Sequence, residues 1–363
     1  MLLIKNLILF LLLLTVVVSL HELGHLLAAK FFGVYCQEYA IGMGPKLWSY
    51  KGKETEYSIR ALPLGGFVAM AGDDSSSLES QVDATNIPFE RTLKGIAVWK
   101  RIIIMLAGVT MNMLLAIFIY SMIILSSGAY VTGTKPVAAE IMANTPAEKV
   151  GFKEGDVITN VAFENGMSIS PATYAELVTF LSTYDGNGPW IIEVERDSKK
   201  LKFEFEPEYH EDEDRYIMGI VFSEKAIEVV EVNLLNCWYY GFDYTMFLLR
   251  LTINSLGTLF RGKNLDSLTG PIGIYNTVAE TAALGMEYYI SLIGMISLNL
   301  ALINVLPLPV LDGGRVLLLL IELIIGRPLD KKTEELIMKI SVAILLMLVF
   351  FVTFNDISKI IGG

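Results

Sequence analysis

Four long apolar stretches constrain the fold of this chain more than any other feature. They cover roughly Leu7–Phe32, Ile102–Leu125, Tyr288–Leu306 and Leu336–Phe354. About 20 consecutive apolar residues in an α-helix cross the apolar core of a bilayer, and each stretch approaches or exceeds that length. A hydrophobic content of 53% is also high for a soluble chain of 363 residues. The sequence therefore predicts a multi-pass α-helical membrane protein with about four transmembrane helices.

The net charge of the chain comes from one segment. Residues 126–286 carry 12 Lys/Arg and 23 Asp/Glu, which accounts for the whole formal charge of −11. Within this acidic block, residues 130–225 alternate apolar strand-like runs with turn-forming Gly, Asn and Asp. We predict a compact β-rich domain in water here. Nothing in the charge distribution indicates a nucleic-acid partner.

Lysine and arginine residues predict the orientation of the chain in the membrane. The segment between the first two spans carries nine of them, counting Lys30 and Arg101 at the helix ends. Such a segment is expected on the cytoplasmic side, and so is the short basic linker at 326–332. The acidic block and both termini then lie outside. Cys36 and Cys237 fall on opposite sides, so we expect both to be free.

Two further helices are predicted not to cross the membrane. Leu234–Phe260 is apolar and aromatic, but Asn236, Asp243 and Arg250 interrupt it. That pattern favours an amphipathic helix that lies in the membrane interface. The run at 316–326 is too short to span and predicts a half-depth helix.

The first apolar stretch contains the sequence HELGH, in which His21, Glu22 and His25 are ionisable. Ionisable groups inside a span are costly and indicate a functional site. Residues four apart share one face of a helix, so His21 and His25 can bind one metal ion while Glu22 acts on a water molecule beside it. The chain has only 3 histidines, and this motif uses two of them.

A third metal ligand is expected, because catalytic zinc takes three protein ligands and keeps one position open. The remaining histidine, His210, belongs to the acidic block, which favours a carboxylate instead. In NVLPLPVLDGGR, Pro307 and Pro309 break a helix, and Gly313 with Gly314 permits a sharp turn after Asp312. Asp312 reaches the histidines only if Leu234–Phe260 does not cross the membrane.

Together these motifs resemble the site-2 protease family, and most closely its bacterial regulator-of-sigma type. The similarity rests on HELGH, on the LDGG motif near the C-terminus and on a PDZ-like insert between the second and third spans. It also covers AGVTMN, where Val109 replaces the usual proline and Asn112 is kept, and the stretch Gly270–Ile274. The resemblance implies that His21, His25 and Asp312 bind Zn²⁺ and that Glu22 is the general base.

The resemblance further implies proteolysis inside the bilayer of the bacterial cytoplasmic membrane. The substrates would be transmembrane proteins, such as a trimmed anti-sigma factor or signal-peptide-like helices. The active site would lie nearer the cytoplasmic side and the PDZ-like domain outside. A membrane-associated β-segment at 39–72 would present a strand edge near Pro63–Val68 to an unwound substrate. We predict five substrate-binding residues: Asn304, Pro307, Gly65, Gly66 and Phe67.

Four segments follow from this interpretation. Residues 1–129 hold the first two spans and the β-segment, 130–225 the PDZ-like domain, 226–285 the interfacial helix and 286–363 the last two spans. Two other functions remain open from the sequence. A non-enzymatic PDZ-containing membrane scaffold would be favoured by loss of a motif residue, and a metal transporter by polar groups across several spans and by internal repeats.

Overall fold

The computed structural model describes residues 2–73, 86–132, 136–184, 186–210, 215–223, 228–260, 270–327 and 329–362. It divides into two compact units, one formed by residues 1–119 with 268–363 and the other by residues 120–267. The helices are α1 (Leu2–Phe31), α2 (Val98–Ser127), α3 (Pro146–Val150), α4 (Tyr174–Leu181), α5 (Cys237–Phe260), α6 (Pro271–Leu284), α7 (Met286–Asn304), α8 (Asp312–Ile325) and α9 (Lys331–Gly362). The strands are β1 (Cys36–Lys51), β2 (Glu56–Met70), β3 (Ala129–Thr132), β4 (Ala138–Ile141), β5 (Val157–Phe163), β6 (Ser168–Ile169), β7 (Trp190–Arg196), β8 (Lys199–Phe205), β9 (Glu208–His210), β10 (Arg215–Ile217), β11 (Ile220–Phe222) and β12 (Glu228–Glu231).

The four predicted spans correspond to four helices. Among the described residues, α1, α2, α7 and α9 are long and apolar enough to cross a membrane, over Leu3–Phe31, Val98–Ser127, Met286–Asn304 and Lys332–Ile357. The 14 residues of α8 form a helix of about 21 Å, shorter than the apolar core of a bilayer. The prediction that this segment is too short to span is therefore confirmed.

Close backbone approach and polar contacts join the helices of the first unit. A side chain at Gly24 would place its Cβ 2.3 Å from the carbonyl oxygen of Ala107, so α1 and α2 approach closely only because this residue is glycine. The Tyr289 hydroxyl of α7 donates to the carbonyl of Leu9 at 2.8 Å. Hydrogen bonds of this kind and small residues are what hold membrane helices together, where burial of apolar surface supplies no driving force between them.

The first unit also contains a twisted sheet made by β1 and β2. Residues 38–41 pair with 66–69 on one side and with 56–59 on the other, which makes them the central strand. Residues 66–69 form an edge, since no other described strand pairs with them. The Tyr39 hydroxyl donates to the carbonyl of Ser19 at 2.7 Å, which fixes the sheet against α1 beside the HELGH motif.

A buried ion pair stiffens this sheet. Glu38 and Arg60 are both largely buried and their charged atoms lie 2.9 Å apart, while the Ser58 hydroxyl donates to the same carboxylate at 2.5 Å. The Arg60 guanidinium also lies over the ring of Phe67, 4.8 Å from its centroid. This contact with Arg60 holds the Phe67 side chain in place in the edge strand.

The second unit is β-rich, as predicted, with a four-stranded sheet in the order β6-β5-β7-β8. Its core includes Phe163, Phe180 and Trp190, and the rings of the first two stack with centroids 4.6 Å apart. The predicted hairpin is present between β7 and β8, with Asp197 and Ser198 at positive φ in its turn. The short strands with turn-forming residues between them thus fold as their sequence pattern indicates.

Helix α5 belongs to this second unit. Phe247 and Leu251 on one face are buried in its core, and Arg250 lies 2.5 Å from Glu176 of α4. Tyr239 and Phe242 are exposed. The helix is amphipathic, as predicted, and lies outside the four candidate spans. Its placement in the membrane interface stays a prediction, as do the four segment boundaries.

Candidate metal centre and active site

The HELGH motif lies in the last third of α1, where it presents both imidazoles to one side. His21 and His25 are buried, and their ring centroids lie 4.8 Å apart in an edge-to-face arrangement. This follows from helix geometry, because residues four apart lie one above the other. Glu22 follows His21, and all three side chains line one cavity.

Asp312 is the first residue of α8, and its side chain approaches the two histidines. Helix α7 ends at Asn304, as expected of a segment with Pro307 and Pro309, and the intervening residues turn back to start α8. The predicted sharp turn at Gly313 and Gly314 is wrong, because both lie in the first helical turn of α8. Their Cβ atoms would fall 2.1 Å from the Val305 oxygen and from Leu308 backbone atoms, so glycine is needed for close approach.

Three atoms from these residues converge on one point. Asp312 Oδ2 lies 3.1 Å from His21 Nε2 and 3.4 Å from His25 Nε2. The two Nε2 atoms lie 3.2 Å apart. Their separations are close to the edge of a tetrahedron around zinc, which is roughly 3.3 Å for ligand bonds of 2.0–2.1 Å.

The other nitrogen of each ring determines what the Nε2 atoms can do. His25 Nδ1 lies 2.8 Å from the backbone oxygen of Ile104 and donates its proton there. Asn112, which is fully buried, places its amide 3.4 Å from His21 Nδ1 while its Oδ1 has no hydrogen-bond partner among the described residues. Rotation of that amide by half a turn brings the Oδ1 acceptor to Nδ1–H. Both Nε2 atoms then carry lone pairs.

These contacts fit a bound cation. With protons on both Nδ1 atoms, the two Nε2 atoms and Asp312 Oδ2 face each other as three acceptors with no proton between them. Asp312 Oδ2 is buried and makes no hydrogen bond to a described residue. A positive charge between the three atoms stabilises such a set, and two imidazoles with one carboxylate are a donor set of catalytic zinc sites. His21, His25 and Asp312 also form the metal-ligand cluster found among the described residues.

Glycine in α2 lets the backbone of that helix lie close to both imidazoles. A side chain at Gly108 would place its Cβ 2.5 Å from His25 Nε2 and 2.7 Å from His21 Cε1. The backbone of α2 therefore lies directly against both rings. Gly108 is part of AGVTMN, but its role against the imidazoles was not predicted from the sequence.

The cluster opens into a cavity of about 300 Å³ in the first unit. Both histidines, Glu22 and Asp312 line it, together with side chains from β2, α2, α7 and α8: Phe67, Val68, Met70, Met105, Leu300, Asn304 and Arg315. A peptide in this cavity would lie between the sheet edge and α7.

Of the five predicted substrate-binding residues, the structure places some at the cavity and others away from it. Asn304 and Phe67 line the cavity, and the amide nitrogen of Asn304 lies 3.4 Å from His21 Nε2. Gly66 lies beside Glu22, whose Cγ would be 3.6 Å from a Cβ at that position. Gly65 has a positive φ of 82° over Met43, and Pro307 is exposed. Neither of these last two lines the cavity.

The cavity also contains residues that the sequence analysis missed. Asp73 and Arg315 line it and pair with each other. Arg315 follows the LDGG motif directly, a signal that could have been noticed. No sequence signal could have identified the Ile104 carbonyl, because every residue has one.

Comparison with known proteins gives the family of this chain. Residues 9–348 match the sequence profile of Peptidase family M50. The chain belongs to peptidase family M50. Among its M50 relatives is the Regulator of sigma-W protease RasP of Bacillus subtilis, 30% identical over 98% of this chain and 99% of that protein. Putative zinc metalloproteases of Clostridium acetobutylicum and Agrobacterium fabrum are 33% and 32% identical, each over 97% of this chain and over 97% and 96% of the relative.

Membership of M50 confirms the resemblance drawn from the motifs. This M50 chain is an intramembrane zinc metalloprotease, and zinc is its cofactor. With four helices suited to crossing a bilayer among the described residues, it is an integral membrane protein. These findings exclude the non-enzymatic scaffold and the metal transporter as the main function.

Proposed function

We propose that His21, His25 and Asp312 hold the zinc ion and that Glu22 is the general base for hydrolysis of peptide bonds inside membrane-spanning helices. The observation that carries this proposal is the convergence of three buried acceptor atoms within 3.1–3.4 Å of one another, beside a carboxylate that lines the same cavity. A metal ligand set and a proton acceptor are the two parts that such hydrolysis needs.

This arrangement supports a separate role for each group in the site. When bound, zinc supplies a Lewis acid that polarises a carbonyl and lowers the pKa of water. Glu22 takes a proton from the attacking water and returns it to the leaving nitrogen. Asn304, whose amide borders the metal ligands, donates a hydrogen bond to the unwound backbone of the substrate.

The edge strand of the sheet is the element that we propose holds the substrate. A peptide bond inside a helix is shielded by the helix's own hydrogen bonds, so the substrate must be extended before it is cut. Residues 66–69 offer an edge that no described strand occupies, and Phe67 and Val68 line the catalytic cavity. Addition of the substrate as a further strand would hold it extended beside Glu22.

The site and the relatives together support a substrate class. One relative is named Regulator of sigma-W protease RasP. We propose that this chain cuts single-span membrane proteins, such as an anti-sigma factor already trimmed outside by another protease, or signal-peptide-like helices. Water and the active site would lie toward the cytoplasm.

Residues 130–225 are proposed to form a PDZ-like domain on the outer side of the bacterial cytoplasmic membrane. Its acidic character and the basic segment between α1 and α2 support this orientation. We favour a gating role, in which the domain excludes substrates that still carry a large outer part. Capture of the new C-terminus left by the first cut is the competing role.

A direct experiment tests the proposed reaction. The wild-type chain and a Glu22→Gln variant are each expressed with a library of single-span membrane proteins, and new termini are mapped by mass spectrometry. Cuts within transmembrane segments that depend on Glu22 are expected. Cuts found only in water-exposed regions, or cuts that persist in the Glu22→Gln variant, would contradict the proposal.

A further inference from the structure

Asp73 and Arg315 form an ion pair at the wall of the catalytic cavity. Arg315 Nη1 lies 3.5 Å from Asp73 Oδ2, and the two side chains are 24% and 5% exposed. Removing charged groups from water to this extent costs free energy, so such a pair calls for an explanation beyond surface solubility. The positions of its two members in the chain provide one.

Each member of the pair lies close in the chain to an element of the site. Asp73 comes three residues after Met70, the last residue of β2, and its backbone N–H donates to the Met70 carbonyl at 3.3 Å. Arg315 lies three residues after Asp312, so both side chains project from the same side of α8. The pair thus joins the end of the proposed substrate-holding strand to the first turn of the helix that carries the third metal ligand.

The pair also lines two cavities. Beyond the catalytic cavity lies a second one of about 480 Å³, and the two share Asp73, Met105 and Arg315 as lining residues. A shift of either partner would change the width of the catalytic cavity at the point where strand and helix face each other.

We infer that the Asp73–Arg315 pair positions the strand edge relative to Asp312 and so sets which substrate bond faces the metal ligands. This inference rests on the proposed function, because it assumes that the strand edge holds the substrate. Asp73 and Arg315 are positioning residues: they act through the strand and the helix and need not touch the reacting atoms. Displacement of a bound reactant by about 1 Å can lower a rate by about 100-fold.

A second ion pair on α8 provides a matched control. Glu322 of α8 pairs with Arg101 of α2 at 3.1 Å, and both side chains are 17% exposed. Glu322 and Arg101 line the second cavity and are absent from the lining of the catalytic one. If ion pairs merely anchor α8, loss of either pair should have the same effect. If the Asp73–Arg315 pair sets the register of the substrate, only its loss should change catalysis.

The test uses full-length, zinc-loaded protein in lipid vesicles. The probe is a quenched fluorescent Leu/Ala helix of about 20 residues with a central Gly-Gly pair, long enough to span a bilayer. Asp73→Asn and Arg315→Gln are each expected to lower kcat about 10- to 100-fold. KM should change by less than about twofold, zinc content should not change, and Glu322→Gln should match the wild type. The charge-swapped Asp73→Arg, Arg315→Asp protein should recover part of the lost kcat.

Several outcomes would overturn the inference. An unchanged kcat in Asp73→Asn, an equal loss in Glu322→Gln, or a loss explained by missing zinc would each do so. The Glu22→Gln variant on the same probe separates this failure from that of the proposed function. If Glu22→Gln cuts as fast as the wild type, the proposed function fails. If Glu22→Gln is inactive while Asp73→Asn is normal, the inference alone fails.

Discussion

The Nδ1 atom of His25 donates to the backbone carbonyl of Ile104 across 2.8 Å, which joins α1 to α2 at the level of the catalytic motif. Because this bond fixes the proton on Nδ1, the Nε2 atom faces the cavity with a lone pair. The orientation of one proposed metal ligand is therefore set by the backbone of a neighbouring helix. Partners of this kind are part of a metal site, since they hold the ring and raise its basicity.

Replacement of Glu22 by glutamine should abolish proteolysis and leave the metal in place. The carboxylate lines the cavity but is not one of the three converging ligands, so its loss removes the proton acceptor alone. We expect a rate loss of about 10²–10⁴-fold, with zinc at the wild-type level by elemental analysis. Near-normal cleavage by a zinc-loaded Glu22→Gln protein would show that another residue is the base.

Replacement of Gly108 by alanine should lower zinc occupancy. The new methyl group would lie 2.5–2.7 Å from atoms of both imidazoles, closer than van der Waals contact allows. The rings would have to move apart, and activity should fall in proportion to bound zinc, measured by elemental analysis.

Gly257→Ala is the matched control for that change, because a Cβ at this helical position meets no atom of the described residues within 4 Å. It should retain zinc and activity. Full zinc occupancy in Gly108→Ala would mean that α2 can retreat from the rings, and the close packing would then be unimportant.

Replacement of Asn112 by leucine should weaken zinc binding. Its amide is the buried group next to His21 Nδ1, and leucine keeps the approximate volume but offers no hydrogen bond. Loss of such a partner typically costs about 10–100-fold in metal affinity. Competition with a chelator of known affinity measures the change, and an unaltered affinity would exclude Asn112 as a partner of the ring.

Cysteine labelling from each side of the membrane tests the proposed orientation. Cys36 and Cys237 are both free thiols, but the native background should be low because both are buried. Burial also raises the pKa of the Cys36 thiol to about 12. Lys200→Cys and Leu284→Cys, both at exposed positions, should react with an impermeant maleimide added outside.

Lys53→Cys, in the exposed tip between β1 and β2, serves as the opposite control and should react only after the membrane is permeabilised. Labelling of Lys200→Cys but not Leu284→Cys from outside would mean that α5 or α6 crosses the membrane. The four-span topology would then be wrong.

Removal of the β-rich module tests gating against capture. Residues 133–227 can be replaced by a short Gly-Ser turn, because Thr132 and Glu228 are paired at the ends of β3 and β12. Phe247 and Leu251, which the excision would expose, are changed to glutamine in the same protein. Gating predicts that single-span probes carrying a folded outer domain become substrates, while trimmed probes are still cut.

Capture predicts the reverse for trimmed probes, whose cleavage would be lost. The wild-type chain with only the Phe247→Gln and Leu251→Gln changes is the control for damage to α5. If both kinds of probe are cut as in the wild type, the module has neither role.

The sequence by itself determined the candidate membrane spans and the candidate residues of the site. Apolar length specified the four candidate spans, because a helix must satisfy its backbone hydrogen bonds across the bilayer. Helical periodicity put His21 and His25 on one face. The cost of an ionisable group at that depth made HELGH and Asp312 candidates for one site. These inferences depend on the spacing of residues along the chain and on the cost of placing ionisable groups in the bilayer. Both can be read from a single sequence.

Tertiary structure alone decided how these groups meet. The Ile104 carbonyl and Gly108 contribute to the site through the position of their backbone atoms, which cannot be read from the residue type. The sequence predicts a turn at Gly313 and Gly314, but both glycines let the backbone of Val305 and Leu308 pack against α8. The Asp73–Arg315 pair joins residues far apart in the chain, and periodicity carries no information about such contacts. Contacts between distant segments depend on how whole helices and strands pack, so they had to be observed in the folded chain.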